Sequence, residues 1–174
     1  SEFNAFTSCD LDFYPELLRA EINEINNFVY LNVNDGVYQA GFATTQDAYE
    51  RAVRALFSAL DQIDESLGTK RYLMGNQMTE ADWRLFTTLI RFDAVYYVHF
   101  KCNIRRIVDY PNLYGYLREL YQYEGIAGTV NFDHIKRHYY ITHKEINPSG
   151  IVPVGPDLDL DSPHGRDTLK SEKR

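Results

Sequence analysis

The sequence predicts an all-α fold, a helical bundle followed by an extended, Pro- and Gly-rich C-terminal tail. Three observations carry that prediction. Apolar residues recur at three- and four-residue spacing from Pro15 onward, and no stretch shows the period-two alternation of a half-buried strand. Polar helix-start patterns precede the long apolar stripes. From Asn147 the pattern stops: four of the six prolines fall in INPSGIVPVGPDLDLDSPHGRDTLKSEKR, so this segment is expected to be extended and disordered at its end.

The first helix is expected from Pro15 to about Val33, with Leu18, Ile22, Ile25, Val29 and Val33 on one face and Pro15 in the first turn. Gly36 is expected to end it. A link, NDGVYQAGFATT, follows, and Thr44 with Asp47 three residues on forms a capping-box pattern. The next helix runs to Leu67 with an amphipathic stripe (Ala52, Leu56, Leu60, Ile63, Leu67) and Gly68 as its stop.

The stretch Tyr72–Phe100 organises the rest. Thr79 can N-cap while Asp82 reaches back to the backbone, and Met78 and Trp83 fit a hydrophobic staple. Beyond the cap, apolar or aromatic residues fall on every face, as in a helix surrounded by protein. Arg84, Arg91 and Asp93 within it argue against a membrane span. Then come a short helix at Ile104–Val108, another opened by Tyr110-Pro111 and running to about Tyr123, breaks at Gly125 and Gly128, and a last helix from Phe132 to about Ile141.

At 174 residues, 44% hydrophobic and 25% charged, the chain is one globular domain's worth. A formal charge of −7 argues against nucleic acid or an anionic membrane as partner. The small basic cluster of Lys101, Arg105 and Arg106 reads as a solvated or acid-paired face. Two cysteines, Cys9 and Cys102, make no disulfide framework, and no secretory segment opens the chain, so a cytoplasmic location is expected. SEFNAF begins without Met and reads as the end of an upstream element. The expected division is 1–14 as upstream end or linker, 15–146 as the helical domain and 147–174 as the tail.

His134 and His138, four apart, could be combined with His143 or Asp133 as metal ligands, but Lys136 and Arg137 place positive charge there and no metal is expected. Lys101, Arg105 and His99 could activate Cys102, against the plainer reading of a packed thiol. Tyrosine is the compositional outlier, with fourteen copies. Tyr38 lies in the glycine-flanked link, Tyr96 near the end of the central helix and Tyr139 in HIKRHYY. Brought together, the three would line an aromatic pocket with phenolic donors, suited to a flat substrate.

The runs NDGVYQAGFATTQDAYE, RYLMGNQMTEADWRLFTTLIRFDAVY, HFKCNIRRIVDYPNLYGYLRELYQ, NFDHIKRHYY and INPSGIVPVGPDLDLDSPH closely resemble the C-terminal half of the glutathionyl-hydroquinone reductases, the xi-type glutathione transferases. The resemblance implies a glutathione-transferase C-terminal helical domain, preceded by a thioredoxin-type domain. There a Cys-Pro-Trp cysteine attacks the sulfur of a glutathionyl-hydroquinone, and glutathione resolves the mixed disulfide. No Cys-Pro-Trp run occurs here. By the motif match, Tyr38 is the proton donor or acceptor, while Tyr96 and Tyr139 tune the thiol and border the substrate. Glutathione would be a co-substrate bound mainly by the upstream domain, and the resemblance further implies a homodimer. Two other readings stay open: a non-catalytic interaction module of transferase type, and a conventional conjugating transferase.

Overall fold

The computed structural model describes Phe6 and residues 11–169. Cys9 and the expected disordered end of the tail, 170–174, lie outside the described residues. A short 3-10 turn leads into α1 (Arg19–Val29), which passes through a π-helical segment, Tyr30–Asn34, into α2 (Gly36–Gly41). Gly36 therefore opens a helix rather than ending one. Tyr38 consequently stands on α2, not in a link. The reason is the π winding, which absorbs an extra residue without breaking the helix and lets the buried Gly36 lie against Leu56.

The long helix α3 spans Gln46–Leu67. Its N-cap is Thr45, whose hydroxyl accepts from the Ala48 N–H at 3.3 Å, so the start lies one residue later than the Thr44 pattern suggested. α4 (Glu80–Arg91) continues through a second π segment, Phe92–Tyr96, into the single turn α5 (Tyr97–His99). α6 (Leu113–Tyr121) and α7 (Phe132–Thr142) complete the bundle, with only a 3-10 turn at Ile107–Asp109 where a short helix was expected over 104–108. Among the described residues there is no strand, only two isolated bridges at Tyr72–Gln77, and no helix long and apolar enough to cross a membrane.

α4 and its π extension form the axis, contacted by α1, α6 and α7. Leu85, Leu89, Phe92 and Val95 are fully or almost fully buried along it. At about 25 cal/mol per Å² of apolar surface this burial is the main stabilising term. Three buried carboxylates tie it together by satisfying helix starts. Asp82 accepts from the Thr79 N–H (2.8 Å), the Leu73 N–H (2.9 Å) and the Tyr116 hydroxyl (2.7 Å). Asp64 accepts from the Asn112 and Leu113 N–H groups at the head of α6, and Asp93 from those of Ile107 and Val108. Each takes up backbone donors that a helix start leaves without an internal partner.

The segment after α7 is extended and lies along α6. Gln122 donates to the carbonyls of Leu160 (2.7 Å) and Ser162 (2.8 Å), and Arg118 pairs with Asp159 at 2.8 Å. Arg166 is buried; its guanidinium donates to the carbonyls of Lys70 and Arg71, each at 2.8 Å, and lies 3.3 Å from the Glu119 carboxylate. Gly115 makes this close approach possible, because a Cβ there would stand 2.8 Å from the His164 carbonyl.

Candidate active site

Three tyrosines from three separate elements meet at their hydroxyls. The Tyr38 oxygen (α2) is 2.6 Å from that of Tyr139 (α7), and the Tyr139 oxygen is 2.8 Å from that of Tyr96, the last residue of the second π segment. The rings of Tyr96 and Tyr139 meet edge to face, with centroids 5.5 Å apart. Tyr38 stands in the short helix that follows the first π segment and Tyr96 closes the second, and the wider turn changes the direction in which nearby side chains leave the helix. α7 packs against Phe92–Tyr96 and so delivers Tyr139.

Exposure is graded along this chain of hydroxyls. Tyr96 and Tyr139 are buried and Tyr38 is half-buried, so a ligand reaching the cluster meets Tyr38 first. Burial pushes the Tyr96 phenol far above its ordinary range, helped by the adjacent Tyr139 and Tyr38. Burial also raises Tyr139 to about 12; its bond to Tyr38 adds to the rise and its bond to Tyr96 opposes it. Either oxygen of each pair can donate, and one order of the chain has Tyr96 donating to Tyr139 and Tyr139 to Tyr38. In that order the Tyr38 proton is the one directed out of the chain.

The surrounding wall is aromatic. Phe100 lies 5.3 Å from Tyr38 and 5.4 Å from Tyr96, centroid to centroid, and Phe42 stacks parallel to Tyr38. Gly41 is what allows α2 to close on Phe100, since a Cβ at that position would be 2.3 Å from the ring. His143, which caps α7, packs edge-on against Phe42 and Tyr139 and hydrogen-bonds buried His99, Nδ1 to Nε2, at 3.2 Å. This histidine pair was not foreseen. No local pattern links positions 44 apart in the chain.

The other candidates separate from this cluster. Cys102 is fully buried, and burial pushes its thiol up to about 12, the opposite of activation. Its nearest polar neighbours are the carbonyls of Phe100 and Val37. Arg105 pairs with Asp61 and Arg106 with Asp109, as the acid-paired reading of that basic cluster requires. Asp133 is taken by Arg137, at 2.8 Å. Among the described residues no three His, Cys, Asp or Glu side chains gather closely enough to hold a metal ion. Two concavities lie apart from the tyrosines. One of about 370 Å³ lies between α4 and α7 around Trp83, Ile90 and Ile135, and a groove of about 980 Å³ runs between α1 and α3. The tyrosine cluster lies on neither, forming instead an open aromatic wall.

The bundle and its capped axial helix define the class. The family model described as Glutathione S-transferase, C-terminal domain, matches residues 46–119, and the chain carries that domain. The glutathionyl-hydroquinone reductase YqjG of Escherichia coli is 57% identical over 165 residues, covering 95% of this chain and 50% of that protein. Its glutathione-bound structure superposes with a TM-score of 0.93 over 95% of this chain and 54% of that one. The glutathionyl-hydroquinone reductase PcpF of Sphingobium chlorophenolicum is 54% identical over 86% of this chain and 48% of its own length. The xi-class glutathione transferase of Natrialba magadii is 50% identical, with a TM-score of 0.94 over 96% of this chain and 51% of that chain. The chain belongs to the xi-class, glutathionyl-hydroquinone reductase family of glutathione transferases. It spans about half the length of the curated relatives it matches.

Proposed function

We propose that this chain supplies the aromatic half of a glutathionyl-hydroquinone reductase site. A thioredoxin-type domain upstream would carry the nucleophilic cysteine and most of the glutathione site. The supporting observation is the Tyr38–Tyr139–Tyr96 chain of hydroxyls on an open wall, with only its outer member accessible. An open wall is what a second domain can close.

In the proposed reaction the upstream thiolate attacks the substrate sulfur. The S–S bond forms as the aryl C–S bond breaks, and the electron pair left on the ring carbon takes the proton of Tyr38. Tyr139 and Tyr96 stabilise the resulting Tyr38 phenolate by hydrogen bonding through the chain. Glutathione then attacks the mixed disulfide, releasing oxidised glutathione and the cysteine thiolate, and the proton lost by its thiol restores Tyr38. The motif match assigned thiol tuning to both Tyr96 and Tyr139. With Tyr96 buried behind Tyr139, we assign it an indirect role. The division at 14/15 and 146/147, the homodimer and the cytoplasmic location belong to the same proposal. Cys102, buried and far from activation, is compatible with a reducing compartment.

In the two-domain protein, Tyr38→Phe removes one hydroxyl with little change of volume, and turnover of a glutathionyl-hydroquinone should fall about a hundredfold while folding is retained. Near-normal turnover across the pH range by a folded Tyr38→Phe protein would overturn the assignment.

A further inference from the structure

We propose that His143 is a second ligand-contacting residue of this wall, taking a hydroxyl of a dihydroxyaryl ring, and that His99 is the residue that positions it. The inference rests on the function proposed above in taking the ligand to be an aromatic diol.

His143 and Tyr38 flank the same aromatic floor. Tyr38 neighbours Phe100 at 5.3 Å and Phe42 at 6.5 Å; His143 neighbours Phe42 at 5.2 Å and Phe100 at 5.8 Å, nearly parallel to the latter. Phe42 between them is 45% exposed, so its ring is open to a ligand between two hydrogen-bonding side chains. Recognition of a flat, apolar ring with hydroxyls at its edge needs that combination: an aromatic surface with polar groups at separated points.

The imidazole is held for the task. Its Nδ1 is engaged by His99 Nε2, and His99 is itself buried, stacked on Phe100 and packed 4.6 Å from the Tyr140 ring. Nε2 lies on the opposite edge of the His143 ring and makes no hydrogen bond among the described residues, while the side chain remains half-buried. The contact gives a ring nitrogen of buried His99 its partner and at the same time fixes which way the His143 ring faces. Burial favours the neutral form of both rings, with His138 further lowering His143 and Lys101 further lowering His99, while Glu145 opposes the effect on His143. A neutral Nε2 donates in one tautomer and accepts in the other. A phenolic hydroxyl does both, so either tautomer can bind it.

The test uses this chain with hydroquinone, kept reduced, and 4-methoxyphenol, in which one hydroxyl is blocked. Imidazole nitrogen shifts are followed by NMR, and affinities come from the same titrations. At saturation with hydroquinone the His143 Nε2 signal should move. His143→Phe, which keeps the ring packing, should weaken hydroquinone at least fivefold and abolish its preference over 4-methoxyphenol, with His143→Gln in between. An unmoved Nε2 signal at saturation, an unchanged diol preference in His143→Phe, or no binding of either probe to this chain would overturn the inference. If Tyr38→Phe abolishes turnover in the two-domain protein while His143→Phe leaves diol binding intact, the inference fails and the proposed function stands.

Discussion

Removing the central hydroxyl of the tyrosine chain should cost more than removing either end, and the excess should vanish in a particular double variant. Tyr139→Phe breaks both bonds, at 2.6 and 2.8 Å, and strands the Tyr96 hydroxyl, whose side chain is 2% exposed. A lost hydrogen bond costs about 0.5–1.5 kcal/mol net and a stranded buried donor about 1–3 kcal/mol, so this variant should lose about 2–4 kcal/mol. Tyr96→Phe leaves Tyr139 bonded to Tyr38 and should lose only about 1 kcal/mol. Tyr38→Phe should lose no more than that, since its half-buried environment gives Tyr139 access to water. In Tyr96→Phe/Tyr139→Phe the stranded group no longer exists. The double variant should therefore be no less stable than Tyr139→Phe alone, a coupling of at least about 1 kcal/mol. Urea unfolding of the isolated chain, followed by far-ultraviolet circular dichroism, measures all four. Additive losses would mean that the three hydroxyls do not form one connected chain.

Three further outcomes follow from the same geometry. Asp82→Asn turns an amide NH₂ toward donors that now face a carboxylate, and should cost about 3–5 kcal/mol by urea unfolding, with a loss under about 1 kcal/mol refuting the capping role. Burial pushes the folded-state pKa of His99 down from 6.5 to about 4, so the unfolded chain binds more protons in that window. Stability should fall as pH is lowered through it, and His99→Phe should flatten that slope in melts taken at each pH. Lys101 holds φ at 57°, a left-handed conformation costly for a side chain with a Cβ, so Lys101→Gly should stabilise by about 0.5–1 kcal/mol net of the added chain entropy; destabilisation in the same melts would show that the loop carries no such strain.

Helices whose determinants are local were legible in the sequence. The α3 stripe is a run of apolar residues at helical spacing, and the Thr79–Asp82 start needs residues only three apart. Errors arose where the determinant was geometric rather than compositional. Thr44 and Thr45 are chemically alike, and only the backbone trace selects Thr45. Gly36 looks like a stop because nothing in the sequence announces a π turn. The tyrosine cluster joins positions separated by 101 and 43 residues, so periodicity could nominate its members but not their meeting; the family resemblance singled them out. His99 and His143 were visible only as possible partners for a thiol or a metal, because their bond to each other leaves no trace in local pattern.

The buried Arg166 has a consequence for biosynthesis. It grips carbonyls of residues made 96 positions earlier, and its charge stands against Glu119, which is otherwise partnered by Arg71 and Tyr72. As the chain leaves the ribosome, the helices through α7 emerge before this keystone does. A nascent or prematurely terminated chain lacking Arg166 exposes the Lys70 and Arg71 carbonyls and leaves one oxygen of the Glu119 carboxylate without its counter-charge. Docking of the tail is thus the step that satisfies this end of the bundle.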